Sequence, residues 1–182
     1  MARIELWNGD ICELEVDAIV NAANFSLWMS TGVGGAIKRA GGDAIEVAAV
    51  RHAPVALGDS IVTPAGRLAA KAVIHAVSLD KDRRTNATVI EAAVRSALAR
   101  AREIGATSIA FPAMGTGVGG FPIEDGALVT VKAVREELPR SVGIKHVIFA
   151  MRGAAAYRAF EAALAATATE SASRTAVNGG VA

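Results

Sequence analysis

The sequence predicts an α/β fold: a mixed sheet, parallel through its middle and covered on both faces by helices. Three observations carry that expectation. Short β-branched runs alternate with segments of helical periodicity through most of the 182 residues, as in a sheet whose parallel strands are joined by helical crossovers. Hydrophobic residues make up 52% and charged residues 20%, which fills a core and excludes a largely disordered chain. No linker interrupts the middle of a chain whose length suits one domain.

In chain order, Arg3 to Trp7 reads as a strand followed by turn chemistry at Asn8-Gly9-Asp10. Ala18-Ile19-Val20 reads as a buried strand, ending in Asn21-Ala22-Ala23-Asn24 at its carboxyl edge. Gly35 to Ala40 reads as a short helix stopped by Gly41-Gly42, and Asp43 can cap a second helix through about Val50. Ser60 to Thr63 and Ala72 to Val77 are strands joined around Pro64-Ala65-Gly66.

Thr88-x-x-Glu91 reads as a capping box for a helix carrying Ile90, Val94, Leu98 and Ala101, with Gly105 as its stop. Ser108 to Pro112 reads as a central strand. Pro122 suits the first position of a helix with Glu124 and Asp125 in its first turn and Leu128, Val131, Val134 and Leu138 on one face. Val147 to Met151 is the last strand. Ala154 to Ala166 is a closing helix in which Tyr157, Phe160 and Leu164 share a face. One domain is expected over 1–166, and the small, polar, patternless stretch 167–182 is expected to be disordered.

Composition narrows the function classes. The net charge is +1, from 19 Lys plus Arg against 18 Asp plus Glu, so a general nucleic-acid binder is disfavoured while a compact anionic ligand suits the chain. Cys12 is the single cysteine and the histidines lie apart at 52, 75 and 146, so no metal centre is expected. No run approaches the roughly 20 apolar residues a bilayer span requires. The expectation is a cytoplasmic protein needing neither metal nor cofactor, with its oligomeric state left open.

The most informative feature is a pentapeptide that occurs twice, Thr31-Gly32-Val33-Gly34-Gly35 and Thr116-Gly117-Val118-Gly119-Gly120. Each copy follows a predicted strand and precedes a predicted helix. Glycines let the backbone approach a phosphate, and the open N–H groups of the following helix supply donors and a favourable dipole. Two such loops suit two phosphates. The plainer alternative is that the glycines only allow two tight turns, which recurrence at two equivalent places disfavours. Neither copy ends in the Gly-Lys-Ser/Thr of a nucleoside-triphosphate loop. Gly115-x-Gly117-x-x-Gly120 matches the dinucleotide fingerprint in spacing, but the acids that should close the next strand, Glu136 and Glu137, fall inside a helix. A nicotinamide oxidoreductase is therefore a distant alternative.

Four segments together resemble the macrodomain family, from about Ile4 to Leu164. They are Gly9-Asp10-Ile11; Asp17 to Asn24 running into the first glycine loop; Thr63-Pro64-Ala65-Gly66 with Val73 to Val77; and Phe111 through Pro122. The resemblance implies a three-layer α/β/α sandwich that binds ADP-ribose or ADP-ribosylated proteins. It gives Asp10, with Ile11 beside it, the adenine amino group, and Asn24 the distal ribose, while Asn21 is expected to fix the loop backbone. Gly32, Val33 and Gly34 would meet the diphosphate from one loop, and Gly115, Thr116, Gly117, Val118 and Gly119 from the other. Met151 or Arg152 would pack on adenine, an Arg plane being suited to stacking. Phe149 and His75 read as core residues.

Where hydrolysis is at stake the chain departs from the family. Hydrolytic members of the MacroD type carry an aspartate where this chain has Gly34 and a histidine where it has Lys38, and many members have an aromatic where Gly119 stands. The pattern is similar to macro-histone-like branches. Binding of ADP-ribose is the main reading, hydrolysis of ADP-ribosylated protein or O-acetyl-ADP-ribose the alternative, and no catalytic residue is assigned.

Overall fold

The computed structural model of the chain describes residues 2–178. Strands β1 (Arg3–Asn8), β2 (Ala18–Asn24), β3 (Ser60–Pro64), β4 (Ala72–Leu79), β5 (Ser108–Phe111) and β6 (His146–Met151) form a single sheet in the order β1-β6-β5-β2-β4-β3. Neighbouring strands are parallel except at one edge, where β3 runs antiparallel to β4. This is the mixed, centrally parallel sheet the sequence predicts. β2 and β4 are apolar in their first three residues and buried along most of their length, because both of their faces are covered.

Helices α1 (Gly32–Gly41), α2 (Asp43–Val50), α3 (Ala87–Glu103), α4 (Ile123–Glu137) and α5 (Ala154–Asn178) supply the outer layers. Side chains alternate across the sheet with a period of two. Ala18 and Val20 therefore pack with Ile90, Val94 and Leu98 of α3, Val131 and Val134 of α4 and Phe160 of α5. Ile19, on the opposite face, packs with Ile37 of α1 and Ile45 of α2. Phe149 lies fully buried between Phe111 and Phe160, at ring-centroid distances of 6.3 and 5.3 Å, as its reading as a core residue requires.

Several element boundaries differ from the expected ones, each for a local reason. The cap of α3 is Asn86, whose side chain accepts a hydrogen bond from the Val89 amide at 3.0 Å. Thr88 already lies inside the first turn, so its capping box does not form. α1 begins at Gly32 rather than Gly35, because the glycines coil into the helix's first turn. Gly42, with φ of +106°, separates α1 from α2 and takes the cap position expected of Asp43, which becomes the first helical residue. α5 continues past Ala166 to Asn178. Thr167 does not end it: its hydroxyl donates to the Ala163 carbonyl at 2.8 Å and the side chain is buried, and extending an existing helix is far easier than nucleating one. Residues 179–182 of the expected tail lie outside the described residues.

At the amino edge of the sheet, Asp17 ties three strands together. Its carboxylate accepts from the Thr107 and Ser108 amides at 2.8 and 3.1 Å, from the Thr107 hydroxyl at 2.8 Å and from Lys71 Nζ at 2.6 Å. Its own amide donates to Ser108 Oγ at 2.8 Å. The Lys71 contact, followed by these amide donors, holds its carboxyl well below the usual carboxylate range.

Candidate functional site

The segments that leave the carboxyl ends of five strands converge on one cavity of about 600 Å³. Ligands of open α/β sheets collect at this edge. Gly9, Asp10 and Ile11 follow β1, and Asn24 closes β2. Trp28 and Ser30 through Gly34 lead into α1, Ser78 and Leu79 end β4, Pro112, Ala113 and Gly115 through Gly119 follow β5, and Arg152 follows β6. All twelve residues that the sequence singled out for a ligand line this cavity, and the first four residues of each copy of the repeated pentapeptide are in its wall.

The first copy forms the opening turn of α1. Thr31 sits at the cap position but its side chain makes no capping hydrogen bond. The first-turn amides of Gly32, Val33 and Gly34, which have no acceptor within a helix, are therefore left to whatever occupies the cavity, with the positive end of the helix dipole behind them. A Cβ added at Gly34 would lie 3.1 Å from Asn21 Oδ1, so the helix start packs closely on β2.

The second copy is an open loop closed on itself by Gly120 N donating to Gly117 O at 3.1 Å and Phe121 N donating to Gly115 O at 3.2 Å. Among the described residues, the amides of Thr116, Gly117, Val118 and Gly119 have no protein acceptor. Gly115 holds φ of +72°, and a Cβ there would run into Ile90 Cδ1 at 2.7 Å, so only glycine fits at this bend. Gly117 is different. Its φ is ordinary and a Cβ would meet nothing within 4 Å, so its lack of a side chain serves the cavity and not the loop.

Asp10 starts the short 3-10 turn Ile11–Glu13. Its Oδ1 accepts from the Cys12 amide at 3.0 Å, while Oδ2 faces Arg152 Nη1 at 3.8 Å. The Cys12 amide bond, with help from the charges of Arg152 and Arg39 and against burial, lowers the pKa of its carboxyl. Burial and then Asp10 itself push the neighbouring Cys12 thiol up to about 12, which leaves it protonated and unreactive at neutral pH. Of the two candidates at the end of β6, Met151 is fully buried and absent from the cavity wall, whereas Arg152 lines it with an exposed side chain.

Asn24 occupies the cavity wall, but its amide already holds the next loop. Nδ2 donates to the Trp28 carbonyl at 2.9 Å, and Oδ1 accepts from the Ser26 amide and hydroxyl at 3.1 and 2.7 Å. One Nδ2 hydrogen remains for another acceptor. Asn21 does not fix the loop backbone. Its Nδ2 meets His75 Nδ1 at 3.1 Å, and His75 Nε2 meets Thr63 Oγ1 at 2.9 Å, so His75 is a fully buried core residue with both ring nitrogens engaged. Asn21 Oδ1 is buried without a hydrogen-bond partner. Lys38 turns away from the cavity to pair with Glu46 at 2.6 Å and Asp43 at 3.7 Å.

The lining residues that escaped the sequence reading include Trp28, Ser78, Arg39 and Arg83. Trp28 is 60% exposed, and a tryptophan between Asn24 and the first glycine loop was a signal that could have found it. Arg39 lies on the helix that carries the first glycine loop. Arg83 sits in a loop at φ of +60°, with nothing in the pattern to mark it. Asp10 is the one carboxylate among the lining residues, and no histidine lines the cavity. Among the described residues no group of three or more His, Cys, Asp or Glu could hold a metal ion, and no helix is long and apolar enough to cross a membrane.

Fold and site together define an open-sheet α/β module whose cleft is walled by two glycine-rich loops at the carboxyl edge. The chain belongs to the Macro domain family, whose model matches residues 20–130. It is 43% identical over 166 residues to an uncharacterized protein of Mycobacterium tuberculosis, a match covering 91% of this chain and 46% of that one, so the chain spans less than half of that relative. It is 42% identical over 154 residues to an O-acetyl-ADP-ribose deacetylase of Salmonella gallinarum, covering 81% and 86% of the two chains. It superposes on the Trypanosoma brucei macrodomain in complex with ADP-ribose with a TM-score of 0.82 at 28% identity, over 88% of this chain and 68% of that one.

Proposed function

We propose that the cleft binds ADP-ribose, free or attached to protein, and grips its diphosphate with main-chain amides from both glycine loops. The observation that carries this reading is that two identical pentapeptides, far apart in sequence, open unpaired amides onto the wall of one cavity. The complex of the Trypanosoma brucei macrodomain with ADP-ribose supports it. Asp10 Oδ2, free of backbone bonds, accepts from the adenine amino group, and Ile11 packs beside the base. Arg152 lies on the same side and stacks on the base plane. The spare Nδ2 hydrogen of Asn24 goes to a hydroxyl of the distal ribose.

Calorimetric titration with ADP-ribose, AMP and NAD tests this reading. ADP-ribose is expected to bind much more tightly than AMP, because AMP lacks the second phosphate and the distal ribose. Preference for NAD, accompanied by hydride transfer, would return the oxidoreductase alternative to first place.

The Salmonella relative supports a second reading in which the same cleft hydrolyses O-acetyl-ADP-ribose. Water would attack the acetyl carbonyl, the bond between that carbon and the ribose oxygen would break, and the ribose oxygen would leave with a proton from the water while acetate forms. Asp10, the lone lining carboxylate, stands at the end assigned to adenine, and Gly34 offers no acid at the other. Activation of the water would then fall to the ligand's own diphosphate. Acetate release, and release of ADP-ribose from protein modified on glutamate, both measured against Asn24→Ala, separate a hydrolase from a binding module.

A further inference from the structure

Beside the cleft lies a second hollow of about 440 Å³, lined by Met29, Ser30, Gly35, Lys38, Arg39, Gly42, Asp43 and Arg67. It shares Ser30 and Arg39 with the main cavity, so the two adjoin. Its charge is set by two guanidiniums. Lys38 is paired with Glu46 and with Asp43, the one carboxylate in the lining, whereas Arg39 and Arg67 have no carboxylate within ion-pair distance among the described residues. Both lie close against glycine backbone: a Cβ at Gly35 would stand 3.2 Å from Arg39 Nη1, and one at Gly42, where φ is +106°, would stand 2.8 Å from Arg67 Nη1. The hollow is thus built around two unpaired planar cations, the donor type suited to a phosphate.

The hollow also has a direction. Helix α1, which carries Arg39, packs through Ile37 in one apolar cluster with Ile11, next to Asp10, and Arg39 itself lines both cavities, so its guanidinium lies on the Asp10 side of the cleft, where its charge acts on Asp10 and Cys12. If Asp10 takes the adenine, the adenosine half of the ligand is the half that neighbours the hollow, and its ribose 2′-oxygen is the point at which further phosphate can be attached.

On the basis of the binding reading above, we infer that this hollow is a second anion subsite, which takes a phosphate carried beyond the diphosphate on the adenosine side of ADP-ribose. Arg39 bridges the two cavities and Arg67 closes the outer one. The phosphate has two chemical sources, a 2′-phosphate monoester or the diphosphate of a further ADP-ribose unit joined at the 2′-oxygen.

The test is titration of the whole chain and of Arg67→Ala with ADP-ribose, 2′-phospho-ADP-ribose and a ribose-linked ADP-ribose dimer. Arg67 lines the hollow and not the main cleft, so ADP-ribose is expected to bind both proteins equally. At least one extended ligand is expected to bind the unaltered chain about tenfold more tightly than ADP-ribose, as charge-assisted hydrogen bonds allow, and to lose that advantage in Arg67→Ala. Which ligand gains identifies the source. Equal affinities for all three ligands, or an advantage that survives Arg67→Ala, overturns the subsite. Failure of the underlying reading looks different, since ADP-ribose itself then binds neither protein.

Discussion

Gly117 separates what glycine does for the loop from what it does for a ligand. Its backbone is ordinary and its side-chain space empty, so Gly117→Ala is expected to leave stability within about 0.5 kcal/mol. The new methyl would stand on the cavity wall, where a phosphate oxygen must come within hydrogen-bonding distance of the amides. Affinity for ADP-ribose should fall at least about tenfold, the equivalent of one lost charged hydrogen bond. Chemical denaturation and calorimetry on the same variant check both halves, and an unchanged affinity would count against backbone recognition. His75 gives a second residue-scale expectation. Burial pushes its pKa down to about 4, with the His52 charge adding to the effect. The unfolded chain therefore binds a proton that the folded one refuses, and stability falls as the pH drops from about 6.5 towards 4, by roughly 3 kcal/mol in full. Urea midpoints at pH 7 and 4.5 should differ more for the unaltered chain than for His75→Gln, because carboxylate losses are common to both.

Among the elements, the two ends of β2 have separate duties. Its carboxyl end reaches the cleft through Asn24, while Asp17, just before its amino end, holds β4 and β5 in place. Asp17→Ala is expected to cost about 2–4 kcal/mol, since it removes charged hydrogen bonds and strands the Thr107 and Ser108 amides. A thermal or urea unfolding curve measures the loss, and ADP-ribose affinity well below the transition should not move. The elements also show what was legible in the sequence. Strand positions and the glycine loops could be read because short β-branched apolar runs and small residues leave a pattern. The cap of α3 was missed because Asn86 competes with Thr88 as a side-chain acceptor only two residues away. The length of α5 was missed because an alanine-rich continuation carries no apolar period. Arg39 and Arg83 came to light only in three dimensions, since an exposed arginine has no spacing to betray what it faces.

At the scale of the whole molecule, the cleft draws its walls from both helical layers: α1 brings the first glycine loop from one face, and the second leads into α4 on the other. A ligand held by both loops stabilises the folded state alone. At a concentration one hundred times its dissociation constant it should add about 2.7 kcal/mol and raise the melting temperature by roughly 5–10 °C for a chain of this size. Thermal melts with ADP-ribose check this, and Gly117→Ala should show a much smaller rise. A shift of equal size with an unrelated dianion would indicate charge alone.

The strand order has a consequence for biosynthesis. β1 pairs only with β6, which is inserted between it and β5. Once translated, β1 must therefore wait for residues 146–151 before it finds a neighbour in this sheet, and Asp10 hangs from its end. A nascent chain halted before His146 would have both glycine loops translated and yet lack one wall of the cleft, so competence for ligand arrives late and all at once.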